Sequence, residues 1–452
     1  IPASGSVSFY LRMFNAPHSK TVPKNYKLIV KPISSSWEEG EGLDLEGYKD
    51  VTYDEVGANW IRSGGSTSWT KVGGDYLGTP IYSQSFDPGP ENLEIDISEL
   101  VENWITGAPS KFENYGVGIF MSSSYEASAS QSSVNSDSNV ILNTTGSGKS
   151  YYTKRFFARK TQYFYHRPII EARWDSAKLD DRGNFFFSSS RAPAADNLNT
   201  LYFYNMVRGR LANLPGIGST YGAPGSFVKV SLFSGSSSGS APAAGALTLC
   251  NSGLGSSTAA TGGWVATGIY SCSVCLASSS ITTLYDIWFS GSNTTANAYT
   301  ATKQYFTGSI KPMVIGIGDS TGVNPYRLSI TNLQPKYLPN DTARLNLFVR
   351  QKNWSPTIYT VANQSVESET IISASYRVFR AIDGFTVVPY GTGSNNHTRL
   401  SYDISGNYLD LDMKLLQPGY AYGLKFAFYD KRNLAWQEQE ETFKFRVMEY
   451  EY

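Results

Sequence analysis

Gly148, Lys149 and Ser150 end the stretch TTGSGKS and match the second half of a phosphate-binding loop. Such a loop needs an earlier glycine, five residues before Gly148, because its backbone N–H groups wrap around the phosphates before a helix begins. Asn143 occupies that position, and the aromatic residues after Ser150 favour a strand over a helix. The stretch therefore predicts a glycine-serine turn that leads into a strand, and no nucleotide site.

Two of the three cysteines, Cys272 and Cys275, are spaced as in redox sites and zinc half-sites. The surrounding IYSCSVCLA alternates like a strand, which predicts that the two side chains point to opposite faces of a sheet. Cys250 stands alone, and no second CxxC completes a zinc site. We therefore predict ordinary buried and exposed thiols, and a fold whose stability depends on packing and not on disulfides.

The histidines and the main acidic run have no defined catalytic or metal-binding pattern. His18, His166 and His397 are far apart, and none belongs to an HExxH sequence. The acidic run lacks the spacing and the terminal glutamate of an EF-hand loop. It consists of Glu38, Glu39, Glu41, Asp44, Glu46 and Asp50. A solvated loop is the favoured interpretation, and a structural calcium ion is the alternative.

Other catalytic and binding signatures are also missing from the sequence. It has no GxSxG elbow, no GxGxxG after a strand, and no basic stripe suited to nucleic acid. Basic and acidic side chains balance at 38 each, so no net charge attracts nucleic acid or an anionic membrane. No stretch is apolar for long enough to predict a transmembrane helix. We therefore predict no catalytic residue, no metal and no cofactor.

The composition favours strands joined by tight turns, because 14% of the residues are aromatic and 41 are glycine. Leu93, Ile95 and Ile97 alternate with polar residues, and a short helix that Ser98 can cap is predicted after them. The 452 residues suggest roughly three domains. We predict an all-β fold of three consecutive β-sandwich domains, of the jelly-roll or immunoglobulin-like type, with few short helices.

Changes in composition along the chain give the predicted boundaries. A first sandwich spans residues 1–175, and a connector spans residues 176–198. A second sandwich spans residues 199–330, and a third spans residues 331–452. The chain begins at Ile1 and not at methionine, which leaves processing of the N-terminus open.

The first predicted domain resembles the DNRLRE-type β-sandwich module from residue 7 to about residue 174. The matching features are Trp37 with Glu38-Glu39-Gly40, Asn59-Trp60, Ser68-Trp69, Gly73-Gly74-Asp75, LEIDISELVENWITG at 93–107 and Asn114-Tyr115-Gly116-Val117-Gly118. Relatives of this module occur in secreted and cell-surface proteins and in some carbohydrate-binding modules. The resemblance implies a β-sandwich, in which Trp37, Trp60 and Trp69 are the candidate glycan or partner contacts because their rings suit stacking.

The third predicted domain resembles a fibronectin type III or immunoglobulin-like sandwich. Leu416, Pro418, Gly419 and Tyr422 match the tyrosine-corner pattern, in which the tyrosine hydroxyl binds the backbone at the edge of the sandwich. This resemblance implies an architecture and no chemistry.

Most of the chain is also similar to virion structural proteins of tailed bacteriophages, especially marine ones. The similar stretches include YYTKRFFARKTQYFYHRPIIEARWD, LNTLYFYN, SYRVFRAIDG and YLDLDMKLLQPGYAYGLKF. The resemblance implies a location in the virion, other virion proteins as partners, and a homo-oligomer or another symmetric arrangement of several copies.

Three functional hypotheses follow. The first is a non-enzymatic virion structural protein, associated with the head, neck or tail, that mediates particle assembly through protein–protein contacts. The alternative is a carbohydrate-binding or adhesive surface protein that uses the N-terminal sandwich. The third is an enzyme such as a depolymerase, which needs paired carboxylates that the sequence does not place in one pocket.

Overall fold

The protein divides into two compact units, Ile1–Asp175 and Ser176–Tyr452. A computed structural model describes the following residues: 6–17, 23–39, 57–58, 62–65, 67–71, 73–106, 112–125, 148, 154–189, 193–217, 228–235, 242–243, 245–250, 258–277, 281–290, 303–313, 326–352, 355, 358, 368–431 and 433–449. Strands dominate both units, so the predicted all-β fold class is confirmed. The separation of residues 199–330 from residues 331–452 into two domains stays a prediction.

The first unit contains two three-stranded antiparallel sheets, with strand orders β6–β1–β8 and β5–β2–β7. A short hairpin of β3 and β4 and one helix, α1, accompany them. The elements are β1 (Ser8–Met13), β2 (Tyr26–Pro32), β3 (Arg62–Gly64), β4 (Thr67–Ser68), β5 (Tyr82–Phe86), β6 (Leu93–Asp96), α1 (Ser98–Thr106), β7 (Val117–Met121) and β8 (Ile169–Arg173).

The two sheets of the first unit share one hydrophobic core. Phe9 and Leu11 of β1 and Leu28 and Val30 of β2 are buried in the same cluster, with Phe86 of β5. Because alternate residues of a strand point to one face, this pattern places the inner faces of the two sheets against each other as a sandwich. Each such side chain contributes roughly 1.5–3 kcal/mol when it is fully buried.

Helix α1 closes one end of this core. Leu100 and Val101 are buried in this core, whereas Ile105 in the last turn of the helix is exposed. The hydroxyl of Ser98, predicted to cap the helix, accepts the backbone N–H of Phe9 at 2.8 Å. This hydrogen bond ties the start of the helix to β1, a long-range contact that the local sequence does not reveal.

The second unit begins with a seven-stranded antiparallel sheet in the order β17–β16–β12–β14–β15–β9, with β13 paired to β12. The strands of the sheet are β9 (Asn199–Tyr204), β12 (Val228–Gly235), β13 (Pro242–Ala243), β14 (Ala260–Ala266), β15 (Ile269–Val274), β16 (Leu284–Ser290) and β17 (Lys303–Ile310). Strands β10 (Met206–Val207) and β11 (Arg210–Leu211) form a separate hairpin.

This seven-stranded sheet is strongly curled. Phe203 of the edge strand β9 stacks on Phe306 of the opposite edge strand β17, with ring centroids 5.6 Å apart. Phe203 also lies 5.6 Å from the ring of Trp288, which is fully buried. Sheets twist and coil with one hand, so a sheet of this width can bring its two edges together. The curled sheet therefore encloses its own core, and we call the line where β9 and β17 approach each other the seam.

The C-terminal part of the second unit forms two further sheets, ordered β18–β20–β24–β23 and β19–β27–β25–β21–β22, with β26 paired to β25. The strands are β18 (Tyr326–Ile330), β19 (Lys336–Tyr337), β20 (Thr342–Gln351), β21 (Ala374–Arg380), β22 (Thr386–Val388), β23 (Ser401–Asp403), β24 (Gly406–Asp412), β25 (Ala421–Asp430), β26 (Ala435–Glu438) and β27 (Phe443–Val447). Tyr326 and Phe428 make an edge-to-face contact between the two sheets, with ring centroids 5.6 Å apart.

Tyr422 makes the hydrogen bond of a tyrosine corner. Its side chain is fully buried, and its hydroxyl donates to the backbone oxygen of Gln417 at 2.7 Å. Leu416 is buried beside it, and Pro418 continues the turn. Gly419 has a φ of +87°, a conformation that favours glycine over residues with a Cβ atom.

The prediction that the cysteines are ordinary thiols is wrong for two of them. Cys250 and Cys275 form a disulfide with a Cα–Cα distance of 5.1 Å, next to a backbone hydrogen bond from Cys250 N to Cys275 O. Cys272 is free and buried in the core of the curled sheet, and burial raises the pKa of its thiol to about 12. The strand alternation does separate Cys272 from Cys275, but it cannot show that Cys250 reaches Cys275.

Replacing both Cys250 and Cys275 by serine should lower the free energy of unfolding of the second unit by about 3 kcal/mol. The disulfide closes a loop with a sequence separation of 25 residues, and this closure restricts the unfolded chain. Urea unfolding without reductant measures the change. A reductant should shift the wild-type transition by a similar amount and leave that of the double variant in place. Three free thiols in the denatured, unreduced wild-type chain would contradict the disulfide.

Candidate functional site

The three tryptophans predicted to contact a glycan or a partner have different positions. The side chain of Trp37 is 43% exposed, whereas Trp69 is only 9% exposed, so that little of the Trp69 ring faces solvent. Trp60 lies outside the described residues. Within the part of the first unit that the structure describes, the candidate surface therefore centres on Trp37.

The indole of Trp37 is held by a hydrogen bond at its polar edge. Its Nε1–H donates to the backbone oxygen of Tyr115 at 2.6 Å. The next residue, Glu38, donates its backbone N–H to Ser63 O at 2.8 Å and accepts from Ala58 N at 2.7 Å. The Tyr115 hydroxyl in turn donates to the carboxylate of Glu113. Backbone and ring are thus both fixed while part of the ring remains open to solvent.

A loop anchored by Asp75 lies beside this surface. The Asp75 carboxylate accepts the backbone N–H groups of Thr70 and Lys71, each at 3.0 Å. Burial would raise the pKa of Asp75, but these hydrogen bonds outweigh it and hold the pKa below its usual value. The backbone N–H of Ser34 donates to Asp75 O at 2.9 Å, which connects the loop to the segment that carries Trp37.

Two of the glycine-containing motifs in the first domain meet around Tyr76. The Tyr76 ring lies so close to Gly74 and Gly118 that a Cβ atom on either glycine would collide with it. The Tyr76 hydroxyl donates to Gly73 O at 2.9 Å. These glycines therefore have a packing role around the ring of Tyr76.

A fixed, partly exposed indole can do one kind of chemistry, which is stacking. Its apolar face suits the C–H groups of a sugar ring or an apolar side chain, and its polar edge is already occupied by Tyr115. Because the ring is already ordered, a ligand that stacks on it loses little additional side-chain entropy. The arrangement is therefore suited to binding by stacking.

A charged network covers one face of the first unit across β1, β6 and β8. Arg12 binds Glu171 at 2.6 Å and Glu94 at 3.3 Å, and Arg173 binds Glu94 at 2.7 Å and Glu171 at 2.9 Å. Burial would raise the pKa of Glu171, but the two arginines outweigh it and lower the pKa. Each carboxylate thus has two guanidinium partners, and these ion pairs cross-link three strands.

The seam of the second unit contains a buried ion pair. Arg182 Nη1 lies 2.5 Å from Oδ1 of Asp286, whose side chain is fully buried on β16. The second carboxylate oxygen of Asp286 accepts the indole N–H of Trp288 at 2.7 Å. Arg182 also donates through Nη2 to Tyr202 O at 3.0 Å, and its guanidinium lies 5.4 Å from the centre of the Phe306 ring. One arginine therefore contacts β9, β16 and β17.

The two aspartates before Arg182 extend this cluster to the C-terminal sheets. Asp181 accepts Thr200 N at 2.7 Å and the Tyr402 hydroxyl at 2.8 Å. Asp180 donates its backbone N–H to Tyr402 O at 3.0 Å, and its carboxylate accepts Arg182 N at 3.1 Å. Residues 176–198, predicted as a connector, thus contain a segment that bonds to β9 on one side and to β23 on the other.

Asp180 and Asp181 have raised pKa values. Burial raises the pKa of Asp180 to about 6, although Arg182 opposes the shift, and burial also raises the pKa of Asp181. A raised carboxyl pKa is often a sign of catalysis, but structural networks produce it as well. Here Asp180, Asp181 and Asp286 bond to Arg182, Thr200, Tyr402 and Trp288, which indicates a structural cluster.

The sequence analysis missed this cluster. Asp180, Asp181 and Arg182 occur in the polar stretch KLDDRG and have the pattern of a solvated loop. Asp286 alternates with apolar residues in LYDIWF, and this lone acid within a strongly apolar strand was the one available signal. Nothing local indicates that the two segments meet.

The remaining predicted features are mostly structural or lie outside the described residues. His166 packs among the rings of Phe14, Phe157 and Tyr163, with centroids 5.6, 4.8 and 5.6 Å away. His18, Asn143, Lys149, Ser150 and most of the acidic run from Glu41 to Asp50 are outside the described ranges. Of that run, Glu39 makes an exposed ion pair with Arg159 at 2.9 Å.

Across the described ranges, no group of three or more His, Cys, Asp or Glu side chains is arranged to hold a metal ion. None of the helices in those ranges combines the length and the apolar character that crossing a bilayer requires. The sequence matches no protein-family model, and it matches no curated protein.

Replacing Asp180 by asparagine should make the second unit more stable at pH 7 than the wild type, by a margin that shrinks toward pH 4. The carboxyl titrates near 3.8 in the unfolded chain and near 6 in the fold, so the folded state binds the proton more tightly. Its contribution to stability is therefore lost as pH rises from about 4 to about 6. The amide imitates the protonated form and can still accept from Arg182 N.

Urea midpoints of both proteins at several pH values between 4 and 7 test this expectation. The difference between the two midpoints is taken at each pH, because the other titrating groups affect both proteins alike and cancel in it. A difference that stays constant across this range, or that grows toward low pH, would show that Asp180 is ionised in the fold throughout.

Proposed function

We propose that the protein is a non-enzymatic structural component of a tailed-bacteriophage particle, associated with the head, neck or tail. It mediates assembly through contacts with other virion proteins and is present in several copies, as a homo-oligomer or in another symmetric arrangement. The resemblance of several stretches of the sequence to virion structural proteins motivates this proposal, and the all-β architecture is compatible with it.

The observation that carries the proposal is the way the second unit is cross-linked. The stretch Asp180–Arg182 bonds at once to the curled sheet, through Thr200, Tyr202 and Asp286, and to the C-terminal sheets, through Tyr402. The charged side chains of Asp181, Arg182 and Asp286 make these contacts inside the fold. A body of this kind resists deformation, and it presents its surfaces at fixed distances from each other, as an assembly requires.

Gradient-purified particles should contain this chain at a fixed copy number relative to the major capsid protein. Quantitative mass spectrometry of intact particles measures this ratio, and a number that fits the symmetry of the head, neck or tail supports the proposal. An abundant soluble protein from the same lysate serves as the control and must be lost during purification. Absence of the chain from intact particles would refute the structural role.

A second candidate function, carbohydrate binding or adhesion by the first unit, is supported by the geometry of Trp37. Its ring is partly exposed and is fixed by the hydrogen bond to Tyr115 O at 2.6 Å. Carbohydrate sites use such rings because stacking on a sugar ring depends on an ordered aromatic face. This function is compatible with a virion location, since a particle component can also contact a cell surface.

Replacing Trp37 by alanine should weaken the binding of a responsive glycan by about tenfold, which corresponds to roughly 1.4 kcal/mol. A glycan array with the full chain identifies the ligand, and titration calorimetry then compares the variants. Trp37→Phe retains an aromatic face and should bind more tightly than Trp37→Ala. The exposed Ile105 offers a matched control, because Ile105→Ala removes apolar surface from the same unit without touching this site.

The melting temperature of each variant shows whether the first unit still folds. Equal glycan binding by folded Trp37→Ala and by wild type would exclude Trp37 as the contact. Failure of the wild-type chain to bind any glycan on the array would exclude the second function for the sugars tested.

A further inference from the structure

A short hairpin projects from the curled sheet of the second unit. Strands β10 and β11 pair Met206 with Leu211 and Val207 with Arg210, and Arg208 and Gly209 form the two-residue turn between them. All six residues are exposed, including 64% of Met206, 53% of Val207 and 39% of Leu211. An isolated pair of strands is only marginally stable in water, so its base must hold it.

The base of the hairpin is firmly attached. Asn205 and Ala212 exchange backbone and side-chain hydrogen bonds, from Ala212 N to Asn205 O at 3.1 Å and from Asn205 Nδ2 to Ala212 O at 2.6 Å. The neighbouring Asn213 carboxamide accepts Gly268 N at 2.8 Å and Trp264 Nε1 at 3.1 Å. The tip of the hairpin is therefore presented at a fixed position.

Arg208 occupies a backbone conformation that arginine seldom adopts. Its φ is +52° and that of Gly209 is +77°, the left-handed pair of a type I′ turn. Asparagine or glycine is the usual first residue of such a turn, because a longer side chain is strained there. Strained positions of this kind are often retained because the side chain has a function.

The chemical character of the hairpin differs between its faces and its tip. Cross-strand partners share a face, so Met206 and Leu211 form an apolar pair on one side, and Val207 and Arg210 lie on the other. Both faces are exposed, and no acidic residue occurs between Asn205 and Asn213. No ion pair to Arg208 or Arg210 occurs among the residues that the structure describes.

We propose that this hairpin is a wedge that inserts into an apolar cleft lined by carboxylates on a neighbouring protein of the particle, an inference that rests on the proposed function. Exposure of apolar residues on both faces fits insertion between two walls, because a flat surface would cover only one face. Arg208 at the tip and Arg210 on one side provide the charge complementarity for carboxylates. Arginine and methionine are enriched at the centres of protein interfaces.

A protein partner fits the hairpin better than a nucleic acid does. Two arginines at a hairpin tip do not make the extended basic surface that binding to phosphates requires, and the chain has a net charge of zero. The aliphatic side chains would gain nothing from a phosphate backbone. Six residues are also too few for a complete interface, so the wedge anchors a larger contact.

The test supplies the chain or a variant to phage that lack their own copy, and measures copies per purified particle. Arg208→Gly combined with Arg210→Ser removes both guanidinium groups, and glycine adopts the left-handed turn readily. Met206→Ser combined with Leu211→Ser removes the apolar pair. Each double variant should reduce the copy number at least about tenfold, as expected when interface anchors are lost.

The melting temperature separates binding from folding. If Arg208 has a purely structural role, the variant that carries Arg208→Gly should have a lower melting temperature than the wild type. If Arg208 serves the wedge, this variant should have an equal or higher melting temperature, because glycine relieves the strain of the turn. Lys311→Ser provides the matched control, because it removes one exposed positive charge from the same unit and should leave the copy number unchanged.

A photo-crosslinking residue at Val207 identifies what the wedge contacts. A crosslink to an acidic segment of a different virion protein supports the proposal, whereas a crosslink to DNA or to another copy of this chain overturns it. If the wild-type chain is found in particles and both double variants reach the same copy number as the wild type, the wedge is refuted while the proposed function stands. Absence of the wild-type chain from particles refutes the proposed function and the wedge together.

Discussion

The buried carboxylate of Asp286 is the constraint on which much of the second unit depends. An ionised carboxylate inside a hydrophobic core is strongly unfavourable unless a cation and hydrogen-bond donors neutralise it. Arg182 and the Trp288 indole supply both, at 2.5 and 2.7 Å. Gly308 on β17 leaves the space that the ion pair needs, because a Cβ atom there would collide with both partners. Removing Arg182 alone would leave a buried charge, at a cost of about 3–5 kcal/mol.

This ion pair also determines where the chain runs after the first unit. Arg182 can reach Asp286 only if the preceding residues follow the seam, and there Asp181 meets Thr200 and Tyr402. The curled sheet and the C-terminal sheets are thus joined by one short segment that is hydrogen-bonded to both. Buried polar networks that are fully satisfied specify one arrangement, since any displacement would leave several groups without partners.

The ordered frame of the second unit also holds its exposed hairpin in place. The hairpin of β10 and β11 projects from the same curled sheet that the seam closes, so its arginines are held at a defined position relative to the C-terminal sheets. Trp37 is fixed separately within the first unit by Tyr115. Both features present exposed side chains on an ordered frame.

The sequence by itself determined the all-β class, because strand periodicity and turn residues are local properties that the chain carries wherever it lies. It also located Tyr422 and the turn before it, since that hydrogen bond spans only five residues. The tertiary structure alone decided that Cys250 bonds to Cys275, that Trp69 is buried while Trp37 is exposed, and that Arg182 meets Asp286. These outcomes depend on segments distant in the sequence, Arg182 and Asp286 being 104 residues apart. Burial and pairing over such separations follow from how the sheets curl and pack, and no local pattern of residue types contains that information.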